Sequence, residues 1–232
     1  VGSRIGGSGS RSILAGSSAV ALAALVVGVA LVVLFLKDDA PLRLDRWIDA
    51  GLGLGSPDVP EEWHRVLGLP GTMTGALAAA LAIGGVFVVV WRTWWPLVLI
   101  LVALLGATMT AFALKQVVGR VSPRFWLDPE HPIGVSFPSA HVARVSAVVG
   151  VAVVVVAILY GRRLAVAASI LAATAVCATA MAQFYLRLHW FTDVIGGLAI
   201  GVFWAAVLVP IATARVRRPD PLDAPRDLGS RT

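Results

Sequence analysis

His189 and Asp193 stand four residues apart at the head of a long apolar run. On a helix that spacing puts both side chains on one face, with Cβ atoms about 5–6 Å apart. A carboxylate so placed can fix one imidazole tautomer and leave the other ring nitrogen free for attack. Phe137-Pro138-Ser139-Ala140-His141 is a second polar island, ahead of an apolar run that begins at Val142. Proline suits a first helical turn, and Ser139 can offer its oxygen to the unpaired N–H groups there. The partial positive charge of a helix N-terminus makes it a ready site for an anion such as phosphate. His141, in that first turn, is placed to give a proton to a leaving oxygen. Lys115 closes another apolar run and, with nearby arginines, can hold a phosphate. Taken singly, each has a structural explanation: a snorkelling lysine, a capping serine beside an interfacial histidine, a His–Asp contact that steadies a helix end. Their joint placement at one depth is what those independent explanations do not produce.

The elements that must carry these residues are membrane spans. Of the 232 residues, 58% are hydrophobic and 14% charged, and the mean hydropathy is +0.87, values that indicate an integral membrane protein. The expected fold is all-α, a bundle of six transmembrane helices. A Gly/Ser-rich flexible tail is expected over 1–12 and the membrane domain over 13–212. Its spans fall at about 13–36, 73–91, 96–118, 138–160, 164–186 and 190–212, before a disordered tail over 213–232. The first loop, Lys37 to Thr72, is rich in Pro, Gly and Asp. Its segment Leu42 to Leu52 reads as a short interfacial helix anchored by Trp47. Asp45 is one of seven acidic residues in that loop.

Basic residues set the orientation. The N-terminus, Arg92, Arg162-Arg163 and Arg215 to Arg218 fall on one side, which the positive-inside tendency makes cytoplasmic. N-in/C-in topology then brings Lys115, Ser139, His141, His189 and Asp193 together on the non-cytoplasmic side of a plasma or inner membrane. The net charge of +6 belongs to these helix ends and to no basic face with interleaved aromatics, so nucleic acid is not an expected partner. The single cysteine, Cys177, excludes an intramolecular disulfide. No metal site and no cofactor is expected, since H-E-x-x-H and carboxylate clusters are absent. Trp190 and the Trp94-Trp95 pair read as interfacial belt residues, and His64 and His131 as loop surface.

Over roughly Ala111 to Gly197 the chain resembles the type 2 phosphatidic acid phosphatase (PAP2) superfamily of membrane lipid phosphatases. The family signature K-x6-R-P, P-S-G-H, S-R-x5-H-x3-D is met in three pieces. They are Lys115 to Pro123, Pro138-Ser139-Ala140-His141, and Ala182 to Asp193. The resemblance implies that His189 is the nucleophile, forming a phosphohistidine, with Asp193 as its orienting partner. It implies that His141 protonates the departing alcohol and that Lys115, Ser139 and the residue at Ala140 bind phosphate, without a metal. Four positions depart from the signature: Ser122 and Gln183 replace its two arginines, Ala182 its serine and Ala140 its glycine. Losing one oxyanion donor costs about 2.7–4 kcal/mol, so either the charge is replaced locally, or the reaction differs, or catalysis is lost. Arg120 and Arg124 flank Ser122, Arg144 lies one helical turn after His141, and Arg187 one turn after Gln183. The expectation is that Arg120, with Arg187 or Arg144, supplies the charge.

These residues support hydrolysis of a lipid phosphate or polyprenyl (pyro)phosphate at the outer face as the first reading. A lipid phosphotransferase using the same His/His/Asp set is the second. A non-catalytic lipid-phosphate binding or transport protein of the same fold is the third. Neither the lipid nor the oligomeric state is legible in the sequence.

Overall fold

The structure, a computed structural model, describes residues 7–38, 40–51, 61–127, 130 and 134–217. His131 and the terminal stretches 1–6 and 218–232 lie outside the described residues. Among the described residues, six helices are long and apolar enough to cross a membrane. They are α1 (Gly7–Lys37), α4 (Met73–Trp91), α5 (Trp95–Val118), α7 (Ala140–Tyr160), α8 (Arg162–Tyr185) and α9 (Phe191–Arg217). Three shorter helices lie between them: α2 (Arg43–Gly51), α3 (Glu61–Gly68) and α6 (Pro123–Leu127). The fold is thus an all-α, six-span integral membrane bundle. Two boundaries differ from expectation. Helix α1 begins at Gly7, inside the segment read as a flexible tail, although its apolar span starts at Ile13. Helix α9 carries on past 212 to Arg217, because nothing in Thr213 to Arg217 breaks a helix and Pro210 is absorbed within it.

Helix ends follow local chemistry. Thr72 caps α4 by accepting from the Gly75 N–H at 3.0 Å. Pro96 sits in the first turn of α5, and Gly119 ends that helix in the left-handed conformation, its N–H returning to the Lys115 carbonyl at 3.1 Å. On α8, Ser169 and Thr174 donate to the carbonyls four residues back, which satisfies hydroxyls that lipid cannot.

Burial sorts the spans into centre and rim. Of the most apolar window of each span, 56% is buried in α9 and 44% in α7, against 11% in α8 and 6% in α1. Helix α7 packs on α9, α8 and α5, while α1 lies along α9. Close approach of α7 and α9 depends on Gly197 and Gly201, one turn apart. A Cβ on Gly197 would run into the Ser139 carbonyl, and one on Gly201 would stand 2.8 Å from the Ala147 nitrogen. That contact carries the site, because it sets the N-terminus of α7 directly against the start of α9.

Candidate active site

The end of α5, the N-terminus of α7, the end of α8 and the start of α9 converge at one end of the bundle. Backbone hydrogen bonds fix the register. Ser139 N–H donates to the Asp193 carbonyl at 2.9 Å, Ser136 N–H to Arg120 at 2.7 Å, and Arg124 N–H to Arg187 at 2.9 Å. Val121 and Val135 pair as an isolated antiparallel bridge. Between these segments lies a cavity of about 440 Å³ lined by Lys115, Ser122, Arg124, Gly134, Val135, Ala140, His141, Arg144, Leu188 and His189. Three of these side chains are cationic, two are histidines and none is a carboxylate, so the cavity fits an anion.

His189 forms the deepest polar part of the wall. Its side chain is 7% exposed, and Nδ1 lies 3.8 Å from Asp193 Oδ2. That is a close charge contact, too long for a hydrogen bond. Burial pushes the His189 pKa below its ordinary value, and the Asp193 carboxylate opposes the shift. Asp193 is fully buried, and its Oδ2 accepts from the Trp190 N–H at 2.8 Å. His141 stands on the cavity wall in the first turn of α7. Lys115 Nζ is anchored by the carbonyls of Val135 at 2.6 Å and Ser136 at 3.0 Å, which aims it along the cavity edge. Ser139 is the N-cap of α7, its oxygen accepting from the Val142 N–H at 3.5 Å. Ser139 is buried and is not a lining residue; Ala140 is.

The arginines divide differently from expectation. Arg124 and Arg144 line the cavity, and Arg144 is held by the Gly71 carbonyl at 3.1 Å and Thr108 Oγ1 at 3.3 Å. Arg120 does not reach the cavity. Its guanidinium is fully buried, bonded to Asp45 Oδ2 at 2.7 Å and Asp193 Oδ1 at 2.6 Å. The expectation that Arg120 binds phosphate is therefore corrected: two carboxylates hold it behind the histidine. Arg187 also lies off the cavity wall, 3.8 Å from Asp49. The chain turns at Arg187 in the left-handed conformation, φ 52°, which carries its side chain toward α2. Gln183, at the position of the second motif arginine, is 1% exposed and off the cavity wall, beside Gly68 of α3. Its Oε1 has no hydrogen-bond partner among the described residues. Trp190 is buried, contrary to its reading as a belt residue, and donates to the Val121 carbonyl at 3.1 Å.

The first loop contributes residues that sequence reasoning passed over. Asp45 of α2 is 1% exposed and receives Arg120 and Thr192. Phe35 of α1 lies 4.0 Å under the Arg120 guanidinium carbon, a cation–π contact. Gly71, in the 3₁₀ turn Leu69–Gly71, packs so closely on His141 that a Cβ there would stand 2.7 Å from the histidine's own. The signal for Asp45 was faint. Its Oδ2 accepts from the Leu42 N–H at 3.1 Å as a local cap, so its type is accounted for without the site.

Residues 96–217 match the PAP2 superfamily, and the chain belongs to that superfamily. Among solved structures, it is similar to the crystal structure described as the first transmembrane PAP2 type phosphatidylglycerolphosphate phosphatase, from Bacillus subtilis. The two share 21% identity with a TM-score of 0.65, over 88% of this chain and 98% of the other. At that identity the likeness concerns the fold. No curated protein matches the chain.

Proposed function

We propose that this protein is a membrane lipid phosphatase that removes phosphate from a lipid phosphate or pyrophosphate through a phosphohistidine on His189. The observation that carries the reading is one cavity in which His189, backed by Asp193, faces His141 among Lys115, Arg124 and Arg144. Asp193 lies on the Nδ1 side of His189, so Nε2 is the nitrogen that attacks phosphorus. The bond from phosphorus to the lipid oxygen breaks as the bond to Nε2 forms, and His141 gives its proton to the departing alkoxide. Water then attacks the phosphohistidine, His141 takes up the water's proton, and inorganic phosphate leaves with His189 restored. Lys115, Arg124, Arg144 and the N-terminus of α7 stabilise the equatorial oxygens. The site faces the non-cytoplasmic side, as the distribution of basic residues implies.

Ser122 and Gln183 favour one second reading. With both signature arginines replaced and Gln183 off the cavity, an alcohol in place of water as acceptor would make the protein a lipid phosphotransferase. Purified protein offered several lipid phosphates separates the two. Inorganic phosphate release without added acceptor supports hydrolysis; a lipid product formed only with an added alcohol supports transfer. Binding without either product, unchanged in His189→Ala, would contradict both and leave a lipid-phosphate binding protein.

A further inference from the structure

Behind the cavity lies a second layer of charge that the phosphatase chemistry does not itself use. Arg120 is wholly buried between two carboxylates, Asp45 and Asp193. Its Nη1 donates to Asp193 Oδ1 at 2.6 Å and to Thr192 Oγ1 at 2.9 Å, and its Nη2 donates to Asp45 Oδ2 at 2.7 Å. Asp45 Oδ1 accepts from the Thr192 N–H at 2.9 Å, and the Thr192 hydroxyl donates to the same carboxylate, 3.0 and 2.9 Å from its two oxygens. Phe35 closes one face of the guanidinium. The cluster joins α1, α2, the segment after α5, and the first turn of α9.

Its charges do not cancel. Asp45 and Asp193 carry two negative charges against one positive charge on Arg120. Were Asp45 absent, the Arg120 charge would bear more fully on Asp193, the carboxylate that faces His189. With Asp45 present, one net negative charge remains, and Oδ2 of Asp193 is the part of it turned to His189. Buried charges this costly persist only when paired and hydrogen-bonded, and here each oxygen and terminal nitrogen of the three groups has a close polar neighbour.

We infer that Asp45 and Arg120 are positioning residues for His189. Arg120 fixes Asp193 by one oxygen, and Asp45 offsets the Arg120 charge so that Asp193 presents a full negative charge to the histidine. The inference rests on the reading of His189 as the nucleophile for its catalytic meaning, but its electrostatic content is measurable without turnover. His189 also faces Lys115 of α5, Arg124 of α6, and His141 and Arg144 of α7 across the cavity; these groups are left unaltered in the test.

The test is nitrogen-15 histidine NMR on the full chain in detergent micelles, following the His189 titration in wild type and in Asp45→Asn, with His189→Gln to assign the signal. Removing one negative charge behind Asp193 lowers the His189 midpoint by on the order of one pH unit at an effective dielectric near 20. The pair Asp45→Asn/Arg120→Gln removes one charge of each sign, and because Arg120 touches Asp193 while Asp45 lies behind it, the lost positive charge dominates and the midpoint rises above that of wild type. An unchanged midpoint in folded Asp45→Asn overturns the inference. If Asp45→Asn does not fold, the double variant decides: a His189 midpoint above that of wild type supports the inference, and an unchanged or lowered midpoint overturns it. In phosphate-release assays Asp45→Asn is expected to lower kcat with KM little changed, and Asp45→Glu to restore part of the loss. A wild type that titrates as described yet releases no phosphate would count against the phosphatase reading and not against this one.

Discussion

At the scale of residues, the cations on the cavity wall differ from the cation buried behind it. Arg144 and Arg124 line the cavity, so Arg144→Ala or Arg124→Ala should each cost about 10²–10³ in phosphate release, the loss typical of one oxyanion donor. Arg187→Ala should cost no more than ~1 kcal/mol in any assay, since its pairing with Asp49 is partly exposed and loose, at 3.8 Å. A steady-state series on these three variants checks both statements. His189 titrates below its ordinary value of 6.5 because it is buried. Attack requires the neutral ring, so the acid limb of kcat/KM should have its midpoint below 6.5. The linked stability has a definite sign. The unfolded histidine takes its proton first as pH falls, so the group's contribution is complete above its unfolded value and is lost as pH drops toward the folded one. The positions of His141, His189, Asp193 and Lys115 at one end of the bundle were legible, because such types are costly in a membrane. The position of Arg120 was not. A lone arginine two residues from a substituted motif position looks like a replacement for it, and only the buried Asp45, far away in sequence, shows otherwise.

At the scale of elements, the first loop is part of the site. Helix α2 supplies Asp45, and the 3₁₀ turn at Leu69–Gly71 lies on His141 and takes the Arg144 guanidinium on its carbonyl. Gly71→Ala is expected to displace that turn, lowering phosphate release while leaving the six-span bundle intact by circular dichroism. Gly197→Ala attacks a different element, the α7–α9 contact. Overpacking of that kind costs typically 1–3 kcal/mol, read as a lowered thermal midpoint in detergent. The sequence made α2 visible as a short amphipathic helix with an outward tryptophan, because its apolar and polar residues alternate with helical period. Its inward attachment was hidden, because ion pairing between distant segments leaves no periodicity behind. Helices α1 and α9 extend beyond the expected spans for a related reason. Polar residues at a span's edge signal the edge of the lipid, whereas the helix itself continues until its hydrogen bonds are interrupted.

For the whole molecule, six spans and their order were readable because each apolar run is long enough to cross lipid and is bounded by charge, Gly or Pro. Which spans form the centre was less so. The spans are apolar on all sides, and the distinction lies in glycine contacts such as Gly197 and Gly201 and in polar residues gathered at one end. By the positive-inside tendency that end is expected outside. In a Cys177→Ala background, Arg46→Cys on exposed α2 should react with a membrane-impermeant thiol reagent added to intact cells, and Arg163→Cys should react only after permeabilisation; the reverse pattern would invert the site. The central claim, that His189 carries the phosphoryl group, is tested most directly by trapping it. Purified protein is mixed with a lipid bearing radiolabelled phosphate, quenched in alkaline denaturant, and mapped for label. The account predicts acid-labile, base-stable label on the peptide containing His189, absent in His189→Ala and more persistent in His141→Ala. Phosphate release that survives His189→Ala, with no labelled histidine in wild type, would contradict it.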